Sequence, residues 1–226
     1  SGGLPLLVPG AAPHTGKAWD FSRNDACLVA PYGPPVYSLG DIENSEGVTL
    51  AFWVKHKFEG RDQNHRVMTG HGIDVPMSKG FHHLGAILDG VVNVQIKPGN
   101  DRPKSPPVMD GTWHHVAVTA DFGAKTQNAH AYIDGRRVNA VDGRFLKSFN
   151  RPNAGAKFVI GARNPGGAYP FRGSLDDVRF YDRALSEDEI LALFEGPVSA
   201  GVAREVWLPD SCTLSATTPG GVAVKW

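Results

Sequence analysis

The side chains able to do chemistry in this chain are its histidines, a few acids and cysteines, and a scatter of arginines and aromatics between apolar runs. Five of the nine histidines, His56, His65, His71, His82 and His83, fall within residues 56–83. A zinc site needs ligands that converge on one point, as paired histidines do on one face of a helix or strand. His82 and His83 are adjacent, so on a strand they point to opposite faces and cannot share a metal. Glycoside hydrolysis needs two carboxylates facing each other across a sugar, roughly 5–5.5 Å apart for retention. The closely spaced acids Glu187 and Glu189 open a helix instead, where they cap it and meet its dipole favourably. Neither Cys27 nor Cys212 has a histidine near it in the chain to make a reactive thiolate. No catalytic residue is therefore expected, and binding is the better prospect. Loops on a rigid scaffold carry recognition, and the loop candidates are Arg61, His65, Arg66, His71, Arg163, Asn164, Tyr169 and Arg172. The densest group is Arg163–Arg172, which offers an aromatic ring beside planar polar groups. Trp19, Trp53 and Trp113 sit in strand patterns and are expected in the core.

The elements that must hold these side chains read mostly as strands. In Val48–Lys55 the even positions 48, 50, 52 and 54 are all apolar. In Val91–Lys97, residues 92, 94 and 96 face one way and 93, 95 and 97 the other. Period-two alternation of this kind marks half-buried antiparallel strands. Further strands are expected over 18–21, 26–30, 66–70, 81–88, 112–120, 128–133, 158–160 and 174–181. Asp89-Gly90 and Asp134-Gly135 separate such runs, and Asp-Gly suits the two positive φ values of a type I′ hairpin. Residues 98–111 and 163–170 read as long loops. One helix is expected: Ser186-Glu187-Asp188-Glu189 is a capping box, Ile190, Leu191, Leu193 and Phe194 follow, and Gly196-Pro197 ends it.

Bulk properties narrow the function classes. Lysine plus arginine and aspartate plus glutamate both total 23, so no global charge draws the chain to nucleic acid or anionic lipid. With 41% hydrophobic and 20% charged residues the chain has globular, not disordered, composition. No run of about 18 apolar residues is present, so membrane insertion is not expected. The opening Ser1-Gly2-Gly3-Leu4 shows no basic signal-peptide start. Cys27 and Cys212 lie near opposite ends, and either a disulfide between neighbouring terminal strands or two buried thiols is open.

Three segments in order carry a family resemblance. Gly111-Thr112-Trp113-His114-His115-Val116-Ala117 leads to Tyr132-Ile133-Asp134-Gly135. Ile160-Gly161 is followed by Gly173-Ser174-Leu175-Asp176-Asp177-Val178-Arg179-Phe180-Tyr181-Asp182-Arg183-Ala184-Leu185-Ser186. Ala18–Leu28 with Leu50–Val54 completes the set. Together they resemble the laminin-G-like domains of the concanavalin A-like lectin/glucanase superfamily. One departure is Phe21-Ser22-Arg23, where the family often has Phe-Asp-Gly.

The resemblance implies an all-β, two-sheet antiparallel β-sandwich, a concanavalin A-like jelly roll, with one short helix after the closing strand. The expected organisation is a lead-in over 1–16, the sandwich over 17–196, and an extension or neighbouring domain over 197–226. Jelly-roll glucanases of this superfamily carry Glu-x-Asp-x-(x)-Glu on one strand, which no strand here shows. Its alginate lyases carry Gln-Ile/Val-His, and here Gln95-Ile96-Lys97 replaces the histidine. A lectin-like module binding carbohydrate within a larger secreted protein is therefore expected, extracellular, periplasmic or at the cell surface. An extracellular protein is the alternative partner. The expected ligand contacts are Arg163, Asn164, Tyr169, Arg172, His65, Arg66 and His71. The resemblance also implies a structural Ca²⁺, with Asp176 as ligand and Asp20 as a candidate partner. Alternatively, Asp176 and Asp177 bond to backbone or to Arg179 and Arg183.

Overall fold

The computed structural model describes residues 5–12, 15–22, 27–30, 47–57, 66–71, 83–88, 91–95, 104–107, 109–121, 128–142, 158–162, 170–181, 183–196, 203–208, 212–217 and 221–225. In chain order the strands are β1 (Leu6–Pro9), β2 (Lys17–Asp20), β3 (Leu28–Ala30), β4 (Gly47–Lys57), β5 (Arg66–His71), β6 (His83–Leu88), β7 (Val91–Gln95) and β8 (Lys104–Pro107). They continue with β9 (Asp110–Asp121), β10 (Asn128–Ile133), β11 (Arg136–Asp142), β12 (Phe158–Ile160) and β13 (Ser174–Tyr181). Helix α1 (Glu187–Glu195) follows, then β14 (Ala203–Leu208), β15 (Cys212–Thr217) and β16 (Gly221–Lys225).

Alternating sequence gives antiparallel pairing throughout. A seven-stranded sheet runs β1-β2-β13-β4-β9-β10-β11, and a six-stranded sheet runs β3-β12-β5-β6-β7-β8. Residues 203–225 form a three-stranded sheet of their own, β14-β15-β16, beyond the expected sandwich boundary and with β16 beside β13. Three strands depart from the sequence reading. β1 comes from the expected lead-in, and β8 from the stretch read as a loop. Both contain proline and both lie at sheet edges, where a missing N–H leaves no ladder bond unmade. β11 forms the other edge of the larger sheet, across the Asp134-Gly135 turn. That turn has the expected form, with φ of 50° at Asp134 and 75° at Gly135. Residues 89 and 90 lie outside the described residues, although Leu88 pairs with Val91 across them.

The two faces of the seven-stranded sheet bury different things. On the inner face Leu50, Phe52 and Val54 lie in register with Val118, Val116 and His114. The core continues through Phe21, Phe171, Val159 and Ile160, all nearly inaccessible. Phe171 N–H donates to the Gly161 carbonyl at 2.8 Å, and Phe21 N–H to that of Gly173 at 2.8 Å. These bonds tie the end of the smaller sheet to the larger. Gly161 has φ 85°, and a Cβ there would lie 2.4 Å from the Phe21 ring.

On the outer face, Thr49, Ala51 and Trp53 oppose Thr119, Ala117 and His115. Here α1 closes the surface, burying Ile190 and Leu193 against Ala51, Ala117, Tyr132 and Tyr181. Each fully buried aliphatic side chain stabilises by about 2 kcal/mol. The two alanines leave room for the helix to approach. Phe194 stacks on Trp53, with ring centroids 5.5 Å apart. The expected capping box is present: Ser186 accepts from Glu189 N–H, and the Glu189 carboxylate accepts from Ser186 N–H. Thr49 fixes the helix approach, donating to the Arg183 carbonyl at 2.8 Å and accepting from Leu185 N–H at 2.9 Å.

Candidate functional site

Helix α1 covers the outer face as far as the Trp53–His115 row. Among the described residues, α1 does not reach the next row. Asp20 pairs with Ser174, Ser174 with Lys55, and Lys55 with Trp113. Residues opposed in register share a face, so these four side chains form a line over β2, β13, β4 and β9. Three strand spacings make that line roughly 14 Å long. It is the floor of a groove of about 920 Å³. Val8, Pro9 and Gly10 form one wall, Lys57 and Gly111 the other, and Ser22, Arg172 and Gly173 close one end.

Local structure explains why these residues meet. Gly173 runs so close to β4 that a Cβ would fall 2.4 Å from the Lys55 carbonyl. That approach sets Arg172 and Ser174 beside Lys55. The Arg172 carbonyl accepts a hydrogen bond from Nδ1 of the buried His56, so that nitrogen carries the proton. The Arg172 guanidinium reaches the Ser22 carbonyl at 3.5 Å. Asp20 Oδ1 accepts from Ser22 N–H at 2.9 Å, which fixes a tight turn at the end of β2. Trp113 is half-buried and Lys55 and Lys57 are exposed. A ring beside donors of both kinds can stack against the C–H face of a sugar while hydrogen-bonding its hydroxyls.

Asp176 lies two residues beyond Ser174 on the same face, fully buried. Its Oδ2 accepts from Ala11 N–H at 2.8 Å and its Oδ1 from Asp177 N–H at 2.8 Å. Burial pushes this carboxyl above the usual range, opposed by bonds from Thr15, Ala11 and Asp177. Gly10 sits so tightly here that a Cβ would meet Thr15, Gly16 and Asp176 oxygens at 2.7–2.9 Å. Asp176 thus anchors the turn that carries the groove wall. The oxygens of Asp176, Thr15 and Gly16 are of the kind a hard cation takes, and among the described residues no cationic side chain acts on Asp176. Among the described residues there is no cluster of three or more His, Cys, Asp or Glu able to hold a metal.

The structure sorts the residues singled out in the sequence. Arg172 and Asp20, expected for different roles, line one groove. Arg66 and His71 are the ends of β5 in the other sheet, strand rather than loop. Their side chains lie outside the described residues, as do Arg163, Asn164, Tyr169 and His65 altogether. Asp177 pairs with Arg179 at 2.7 Å, whereas Arg183 pairs with Glu189 at 2.7 Å. Trp113 corrects the sequence reading: it is not core but groove floor. Lys55, Lys57 and Ser174 were missed. The available signal was Lys55 itself, a charge interrupting the face that Ala51 and Trp53 bury. Cys27 is half-buried, and the Cys212 side chain lies outside the described residues.

Comparison with known proteins decides the family. A laminin-G model described as concanavalin A-like lectin/glucanases superfamily matches residues 36–191. The chain belongs to that superfamily. A sequence search of curated proteins returns no match. Among solved structures, a proposed carbohydrate-binding protein from Bacteroides ovatus is similar at 17% identity and TM-score 0.60. The match covers 93% of this chain and 58% of that one. The CBM40 module of the Ruminococcus gnavus IT-sialidase, solved with α2,3-sialyllactose, is similar at 19% identity and TM-score 0.54. There 85% of this chain and all of that chain are covered. At these identities the likeness establishes fold.

Within this superfamily member the signature histidines do structural work. His114 Nδ1 bonds to Asp134 Oδ2 at 2.9 Å, and Asp134 Oδ1 accepts from His115 N–H at 2.9 Å. Asp134 N–H returns a bond to the His115 carbonyl at 2.8 Å. The pair clamps the β10–β11 hairpin against β9, and the His115 ring packs edge-on to Trp53.

Proposed function

We propose that the chain is a non-catalytic carbohydrate-binding module and that the outer-face groove receives the sugar. The observation that carries this is the half-buried Trp113, set in one row with Lys55, Ser174 and Asp20 and flanked by Arg172. The Ruminococcus gnavus module that shares the fold was solved with sialyllactose, which supports a sugar ligand. Asp20 is the one carboxylate among the described lining residues, while glycosidase chemistry uses two. The setting that suits such a module is a secreted or cell-surface protein of several domains. A structural Ca²⁺ at Asp176, stiffening the turn that bears Val8–Gly10, fits the same reading.

The test is affinity electrophoresis of the domain and its Trp113→Ala variant on a polysaccharide panel, in calcium and in EDTA. Retardation by one glycan class, lost in the variant, is the expected result. Failure to bind any glycan in either condition would overturn the module, and release of reducing ends or unsaturated products would overturn non-catalysis.

A further inference from the structure

We infer that the groove selects glycans bearing negative charge, a conclusion that rests on the carbohydrate reading above and names its ligand class. The chain as a whole is electrically balanced, with 23 basic and 23 acidic residues. The groove is not. Among the described lining residues, Lys55, Lys57 and Arg172 stand against one carboxylate, that of Asp20.

Elsewhere among the described residues, three arginines are matched locally by acids. Arg179 pairs with Asp177, Arg183 with Glu189, and Arg137 with Glu187. Lys55 and Lys57 make no ion pair among the described residues, although Lys57 stands opposite Asp110 in register. Asp110 Oδ1 accepts from the Thr112 N–H at 2.8 Å and the Thr112 hydroxyl at 2.7 Å, neutral donors that leave its negative charge opposite Lys57, whereas Lys55 stands between Ser174 and Trp113 with no acid opposed to it in register. Asp20 is turned to Ser22 N–H. The fold thus leaves Lys55, Lys57 and Arg172 on one concave surface, in excess over Asp20 and Asp110 among the described residues, and the walls focus their field.

A neutral sugar needs a stacking ring and hydroxyl partners, which Trp113, Ser174 and Asp20 supply, and it gains little from the charge of Lys55 and Lys57. A sugar carrying a carboxylate or sulfate gains charge-assisted hydrogen bonds, which are stronger than neutral ones. With the ring face on Trp113, the row places Lys55 one strand away, close to 5 Å. Lys57 and Arg172 line the groove beside it. The ligand chemistry is therefore an anionic group on a pyranose.

The experiment titrates the intact chain by calorimetry with three sets of glycans. Polygalacturonate, alginate and sialyllactose carry carboxylates; chondroitin sulfate and heparin carry sulfates; laminarin, xylan and galactan are neutral. Binding to a charged set is expected, weakening as salt is raised. The Lys55→Gln/Lys57→Gln variant is expected to lose about tenfold or more in affinity, with circular dichroism confirming an unchanged fold. The carboxylate and sulfate arms name the anion. Binding to neutral glycans that needs Trp113 but not the lysines overturns the charge inference and leaves the module standing. Anionic binding that persists in both the lysine and Trp113→Ala variants overturns the groove as its site. No binding at all overturns the module and the inference together.

Discussion

Replacing Asp176 by alanine removes the acceptor of two backbone N–H groups, those of Ala11 and Asp177, each held at 2.8 Å. Asp176 is 0% exposed, so water cannot readily replace it. A buried donor left unpaired costs about 1–3 kcal/mol. Two of them, with some relief from removing a carboxylate that burial disfavours, put the expected loss at about 2–4 kcal/mol. Asp176→Asn keeps one acceptor and sets an amide N–H against the other donor. Its expected cost is about 1–2 kcal/mol. Urea unfolding followed by tryptophan fluorescence reads both. If Asp176 also holds calcium, the wild-type midpoint is higher in calcium than in EDTA and neither variant shows that difference. Glycan affinity falls in both variants, because the Ala11 bond holds the wall formed by Val8–Gly10. An unfolding free energy for Asp176→Ala within about 0.5 kcal/mol of wild type, the range of an ordinary surface change, would refute the anchoring role.

Three further outcomes are expected. Trp113→Ala abolishes measurable glycan binding and, because much of the ring is buried, also costs about 1–3 kcal/mol of stability; parallel calorimetry and urea melts separate the two. Gly161→Ala, with φ 85° and Phe21 ring atoms 2.4 Å from the new Cβ, destabilises by about 3 kcal/mol or more in the same melts. The Arg183 guanidinium holds the Glu189 carboxyl down at about 2 from an ordinary 4.5. A depressed carboxylate contributes stability that is full above its unfolded value and is lost as pH falls through the folded one. Wild type should therefore exceed Glu189→Gln at pH 6, with the gap closing between about pH 4.5 and 2. Both side chains are more than a third exposed, so the gap is expected near 1 kcal/mol. A gap independent of pH would remove the ion pair as its cause.

Much of the framework was legible in the linear chain because its causes are local. Alternation in Val48–Lys55 marks β4, Asp134-Gly135 supplies the positive φ values of its turn, and Ser186 with Glu189 caps α1 within four residues. The strands that escaped notice, β1, β8 and β11, are all sheet edges. An edge needs only one neighbour and one buried face, so its residues carry proline and charge and show weak patterning.

The site follows a different logic. Trp53 and Trp113 are the same residue type on the same face of one sheet, one row apart in register. Trp53 is core because Phe194 of α1 lies on it, and Trp113 is groove floor because the helix does not reach that row. Likewise Lys55 and Arg172 become neighbours only because Gly173 brings its backbone against β4. Composition, period and caps determined an all-β sandwich with one capped helix, since those signals act between residues a few positions apart. Which side chains line the groove was decided by contacts between segments far apart in the chain, where register and helix placement settle what is covered.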